Sequence, residues 1–335
     1  MKFRTIVTIE PLPEDWKVTY NDSAVFIGSC FTESIGNLFS EGKFNTSVNP
    51  FGVLYNPVSI ANGIKMLLHN APFKRTELRF KNGLWFSFYH HSKFSDTDAE
   101  VCLKHINKEQ NKASEILKKA KYLFLTFGTG RIYTYTETDE IVSNCHKIPA
   151  KEFTQRMLSV EEIIDMYDKL IPALRNFNPN IQIIFTVSPV RHWKDGAFGN
   201  QLNKAVLFLA IDNLLQKYEF TKYFPAYECV IDDLRDYRFY KEDMLHVNEM
   251  AVQYVWEQFR QAYFSKETEQ QYIEIEKLVK SGQHRPMNIG SKEHVLFLKT
   301  QMKKIELVLQ KNPKIDFSAE YSHYHKELTK ISTGK

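Results

Sequence analysis

The sequence predicts an α/β fold, a three-layer α/β/α sandwich around a mostly parallel sheet with a helical C-terminal extension. Three observations predict it. Short, continuously apolar runs of strand length recur along the chain, and segments with helical spacing alternate with them. Strands buried on both faces and separated by amphipathic helices form parallel sheets covered on both sides. After residue 265 the chain changes character and becomes charged and helix-rich.

In chain order, VFIGS (25–29) is a buried strand ending in Gly and Ser, and Thr32 to about Ser40 continues as helix. Asn56 and Pro57 supply the cap and first residue of a helix reaching about His69, where proline loses no needed N–H. YLFLTFG (122–128) is the next buried strand. Ser159 and Glu162 form a capping box, and Ile163, Met166, Tyr167, Leu170 and Leu174 follow at helical spacing before the strand IQIIFTVSP (181–189). A helix over roughly 200–217 leads to YECVI (227–231), read as the last strand. A loop rich in Asp and Arg and a helix from about Asn248 to Phe264 complete the pattern. In the tail, Val295, Leu298, Met302, Ile305 and Leu309 make one apolar stripe, which packs on the body or takes a partner helix. A linker at 281–291 precedes it, and the expected division is a domain over 1–265 and an extension over 266–335.

Composition narrows the function. The 335 residues are 25% charged and 43% hydrophobic, which excludes a disordered chain. Forty-four Lys and Arg against 40 Asp and Glu, with the signs dispersed, give no electrostatic footprint for nucleic acid. YLFLTF (122–127) and AVLFLAI (205–211) fall short of the ~18 residues of a membrane span. The opening MKFRTIVTIEPLPEDW lacks the apolar core of an export signal, and cysteines 30, 102, 145 and 229 contain no C-x-x-C pair. Reduced thiols and a cytoplasmic location are expected.

Ligands of such sheets bind at the carboxyl ends of the strands. Ser29 ends a buried strand immediately before a helix, where backbone N–H groups and the helix's positive end face a developing oxyanion. It is placed either as an acyl-transfer nucleophile or as a turn residue. In DMLH (243–246) the Asp and His stand three apart, so the carboxylate can hold one imidazole nitrogen while the other faces the serine. That pair is a catalytic base with its orienting acid, or an internal loop bond. Cys30 is a second nucleophile by position or a small packing residue. Arg191 and His192 follow the strand at 181–189, where a guanidinium clamps a substrate carboxylate or sulfate, or pairs with Asp232, Asp233 or Asp236. His90 and His91 lack the further spacing of a metal site, so neither metal nor cofactor is expected.

GSCF (28–31), NPFGVLYNPVS (49–59), FGT (127–129), NCHK (144–147), VSPVRH (187–192), YFPAYE (223–228) and DLRDYRFYKEDMLH (233–246), in this order, resemble the GSCFA family. Thr32 stands where the name-giving motif ends in Ala. That family is placed near the SGNH, or GDSL-like, hydrolases, so the resemblance implies an SGNH-hydrolase or flavodoxin-like sandwich. It also implies a triad of Ser29, Asp243 and His246, with Gly52 as an oxyanion donor. It departs at the third block, where Gly128, Thr129 and Gly130 replace the G-x-N that carries the oxyanion asparagine. Asn144 and His146, or the backbone of Gly130, are the expected substitutes, with NCHK as a self-bonded loop the other reading. The implied activity is cleavage of a small-molecule or glycan acyl ester. The alternatives are an acyltransferase with the same triad and a binding protein on a degenerate fold.

Overall fold

The computed structural model describes residues 6–282 and 288–333; part of the 281–291 linker lies outside them. In chain order come β1 (Ser23–Gly28), α1 (Cys30–Glu41), β2 (Asn45–Val48), α2 (Pro57–His69), β3 (Arg79–Lys81), β4 (Leu84–Phe86), α3 (Ala99–Leu117) and β5 (Tyr122–Phe127). Next are β6 (Arg131–Tyr135), β7 (Glu140–Val142), β8 (Phe153–Met157), α4 (Val160–Phe177), β9 (Gln182–Val187), α5 (Gly196–Lys217), β10 (Thr221–Tyr223), α6 (Ala226–Glu228) and α7 (Glu249–Tyr263). The tail holds α8 (Lys266–Gly282), α9 (Lys292–Lys311) and α10 (Ser318–Thr333).

Five strands form the central sheet in the order β10-β9-β5-β1-β2, with β1, β5, β9 and β10 paired parallel. Every residue of β1 and β5 is buried, which explains why both read as unbroken apolar runs. Val25, Ile27, Leu123, Leu125, Phe127, Ile183 and Phe185 project from one face into a core shared with Ile60 and Ile64 of α2, Tyr167 and Leu170 of α4, and Leu207 and Ile211 of α5. On the other face Phe26 stacks on Phe124 with ring centroids 4.4 Å apart. Because β2 lies on one side of β1 and β5 on the other, the strand order reverses beside β1. Ligand clefts form at such a switch point, and Ser29 follows β1 there.

The local signals act as expected at α2, where Asn56 Oδ1 accepts from Ser59 N (2.8 Å), and at α4, where Ser159 and Glu162 close the capping box. YECVI is different. The last strand is β10, and residues 226–233 instead coil into α6 and a π-helical turn that buries Cys229 and Val230. A run this short buries its apolar groups equally well as strand or helix, and spacing cannot separate the two. The β3–β4 hairpin, turned at Asn82 and Gly83 with positive φ, and the antiparallel β7-β6-β8 sheet lie outside the elements expected from the sequence.

The chain resolves into two compact units. One comprises the segment ending at Ile9 with Ser23–Gly36 and Thr46–Gln258, and contains the features of the candidate site. The other gathers Glu10–Asp22, Asn37–Asn45 and Phe259–Lys335. Within it, Leu298 and Ile305 of α9 are buried with Ile275 and Leu278 of α8 and Tyr324 of α10, so the predicted stripe serves packing inside this unit. Among the described residues no helix is long and apolar enough to cross a membrane.

Candidate active site

The turn that presents Ser29 is built by its neighbours. Gly28 has φ +153°, and a Cβ there would fall 2.4 Å from the Thr126 carbonyl of β5, so only glycine fits. Its N–H donates to Asn49 Oδ1 (2.9 Å), and its carbonyl accepts from Leu54 N (2.9 Å). Ser29 follows with its Oγ buried and without a hydrogen-bond partner among the described residues. The helix α1 starts at the next residue, and its first-turn N–H groups have no carbonyls within the helix to take them. A buried, unpartnered hydroxyl costs free energy.

His246 stands in the loop before α7. Its Nδ1 lies 2.6 Å from Asp243 Oδ2, while Asp243 Oδ1 accepts from the backbone N–H of Leu245 and of His246, each at 2.9 Å. The backbone donors of His246 and Leu245, then the His246 ring, hold the Asp243 carboxyl well below the usual range. A carboxylate only accepts, so Nδ1 carries the hydrogen and Nε2 is left as the basic nitrogen. The tight turn puts Met244 at φ +58°.

Ser29 and His246 line one cavity of about 200 Å³, together with Cys30, Tyr55, Arg191 and His192. The Cys30 thiol is pushed up by burial despite backbone donors at Phe31 and Cys30 itself, the opposite of an activated thiolate. His192 Nδ1 lies 3.1 Å from Asp195 Oδ2, which also accepts from Arg131 Nε (2.8 Å). Burial alone would raise Asp195, but Arg131 and His192 outweigh it and hold the carboxyl low.

Four expected residues are not brought to this cavity. Gly52 N donates to the Asn49 carbonyl (2.7 Å), and its positive φ answers close packing on His91. Gly130 N donates to Asn203 Oδ1, so its N–H is spent. NCHK does not follow β5 directly: β6 and β7 intervene and carry the loop against β4 and the residues after it. There Asn144 Oδ1 accepts from His146 N (2.8 Å), and His146 Nε2 donates to the Ser87 carbonyl (2.8 Å) with its ring 4.3 Å from that of Phe86. His90, near this loop, is buried among Phe51, Phe73 and Phe94. Arg191 does not pair with the Asp232–Asp236 acids, which have other partners.

Three residues escaped sequence reasoning. Asn49, with φ +45°, ties the Gly28 turn while its own buried Nδ2 has no hydrogen-bond partner among the described residues. Asp195 backs His192, and H-x-x-D at 192–195 was a legible signal. Lys204 lies buried beneath the cavity and donates to the carbonyls of Gly128 (2.8 Å) and Ser188 (2.7 Å), joining the ends of β5 and β9. Burial pulls its ammonium down to about 7, with Cys30 acting against the fall. Nothing in the helix sequence GAFGNQLNKAVLFLAIDNLLQK, which carries other polar residues as well, marks Lys204 as the buried lysine. A larger cavity of about 540 Å³ lies between α8 and α9, lined by Lys277, Leu278, Ser281 and Lys304, with no histidine or cysteine on its walls. Among the described residues no cluster of three or more His, Cys, Asp or Glu could hold a metal ion.

Residues 23–259 match the GSCFA family, and residues 275–330 match the GSCFA domain protein, C-terminal domain. No curated protein matches the chain. A solved structure with detectable likeness is the acetyl xylan esterase Est2A from the rumen bacterium Butyrivibrio proteoclasticus, at TM-score 0.32 and 10% identity over 73% of this chain and 64% of that one. The chain thus spans less than two thirds of that esterase, and so slight a likeness says nothing of chemistry.

Proposed function

The chain belongs to the GSCFA family, and on that premise we propose that it is a serine hydrolase cleaving an ester through an acyl-enzyme. One observation carries the reading: Ser29 and His246 share one cavity, and Asp243 holds the far nitrogen of that imidazole. Ser29 Oγ attacks the ester carbonyl while His246 Nε2 takes its proton, and the imidazolium that forms is stabilised by Asp243. The oxyanion meets the first-turn N–H groups of α1 and the positive end of that helix. His246 then gives its proton to the departing alkoxide, and the acyl group stays on Ser29. Water attacks the acyl-enzyme with His246 again as base, releasing a carboxylic acid and restoring the serine.

The resemblance to SGNH hydrolases favours an O-acyl ester of a carbohydrate. A cavity of about 200 Å³ is smaller than the sites that enclose drug-sized ligands, so it suits a short acyl group with the alcohol part outside. The test is hydrolysis of 4-nitrophenyl acetate by the wild type, Ser29→Ala and His246→Ala. Each variant is expected to lose about 10³-fold or more in kcat with unchanged circular dichroism. Equal turnover by a folded Ser29→Ala would remove the serine from the mechanism.

A further inference from the structure

We propose that the substrate is an ester bearing a negatively charged group, and that Arg191 is the residue that binds this charge. The inference rests on the esterase reading of the same cavity and adds the substrate's charge to it.

The lining of the cavity contains Arg191 but no Asp or Glu. Arg191 makes no ion pair among the described residues, although the acids expected to neutralise it lie in the 232–236 loop. Each of these is engaged elsewhere: Asp232 with Arg235 (3.2 Å), Asp233 with the Tyr254 hydroxyl (2.8 Å), and Asp236 with Arg238 (2.9 Å). The guanidinium does act on Tyr227, where it opposes the rise that burial imposes on that phenol. The phenol is neutral, and Glu228 and Asp232, which act on it from the other side of the balance, pair with Tyr223 and Arg235 and do not line the cavity.

The surroundings add to the same sign. Lys204 Nζ sits under the floor against the carbonyls of Gly128 and Ser188, two lining residues, and adds positive charge only below the pH of about 7 to which burial lowers it. The N-terminus of α1 opens beside Ser29 and contributes a partial positive charge. The nearby carboxylates stand outside the wall. Asp243 and Asp195 lie behind their histidines on the Nδ1 side, and Glu33 acts on Cys30 and Tyr55 without lining the cavity. A small cleft with an unpaired guanidinium and no acidic wall raises the local concentration of anions and rewards a planar carboxylate with two parallel hydrogen bonds. Placed beside the nucleophile, this charge selects among esters and takes no part in moving the proton.

The experiment compares matched esters at low ionic strength: mono-4-nitrophenyl adipate against 4-nitrophenyl hexanoate, with the charge on the acyl side, and 4-acetoxybenzoate against 4-acetoxybenzamide, with the charge on the alcohol side. In at least one pair the anionic member should have the higher kcat/KM by about tenfold or more, the effect of one charge-assisted hydrogen bond. Added salt should shrink the preference. Arg191→Gln should bring the anionic-to-neutral ratio close to one, and Arg191→Lys should keep part of it. A wild type that prefers the neutral ester in both pairs, or an Arg191→Gln that keeps the ratio, overturns the proposal. Calorimetric titration with the uncleavable amides adipamate and 4-acetamidobenzoate decides the charge site independently of turnover. Binding of either that is lost in Arg191→Gln supports it even if no ester is cleaved, in which case only the esterase reading falls. Absence of binding by both, with neutral esters still hydrolysed, overturns the anion site alone.

Discussion

Asp243 places one carboxylate oxygen 2.6 Å from Nδ1 of His246 and the other on the backbone N–H of the same residue. A single side chain therefore fixes both the ring and the loop that carries it. The two tasks separate in variants. Asp243→Asn keeps an oxygen for the backbone donors but removes the charge that stabilises the imidazolium, so kcat should fall by about 10²–10⁴-fold while KM changes little. Steady-state kinetics on 4-nitrophenyl acetate check this, and a kcat within threefold of wild type would reduce the pair to a structural loop bond.

The NCHK loop should be dispensable for turnover. Asn144 and His146 bond to each other and to Ser87, away from the cavity, so Asn144→Ala should leave kcat within about threefold. Removing a true oxyanion donor would cost about 10²–10³-fold. Asn49→Ala is the contrasting variant, since it strips the buried Gly28 N–H of its acceptor and should lower unfolding free energy by about 1–3 kcal/mol in urea titrations.

His90 should make the fold acid-sensitive. Burial among aromatic rings, reinforced by nearby His146 and His105, lowers it to about 3 in the folded chain. The unfolded chain binds this proton near pH ~6.5, so the folded state loses stability as pH falls from about 6.5 towards about 3. Relative to His90→Phe, the wild type should lose on the order of 1.4 kcal/mol per pH unit in that window. Urea unfolding of both proteins at pH 7 and pH 5 measures it, and an equal difference at the two values would contradict it.

Lys204 carries the opposite half of the pH scale. Its ammonium is lowered to about 7 in the fold against an ordinary 10.5, so the unfolded chain binds more protons between these values and stability rises with pH there. Wild type should gain on Lys204→Met between pH 7 and pH 9. A stability difference that does not change over this range would show a fully charged lysine.

How much of this was legible follows from what each residue does. The runs at Val25–Ile27 and Leu123–Phe127 announced the parallel sheet because both faces of those strands are covered, and Asn56 and Ser159 marked helix starts through local bonds. Ser29 and the Asp243–His246 pair were legible as spacing and motif. YECVI was not, because Cys229 and Val230 are buried by a helical turn as completely as a strand would bury them. NCHK was misplaced because the β6–β7 excursion inserts between β5 and that loop. Asn49 and Lys204 act through partners 21 and 76 residues away, separations that local spacing does not encode, whereas Asp195 stands three residues from His192 and its H-x-x-D spacing was legible.

The most direct test of the central claim is the site at which a fluorophosphonate reacts, mapped by mass spectrometry of the digested protein. An activated serine is required for this reaction. One phosphonyl adduct is expected, on Ser29, absent from Ser29→Ala and formed far more slowly in His246→Gln. An adduct elsewhere, or a folded wild type that takes up no probe, would contradict it.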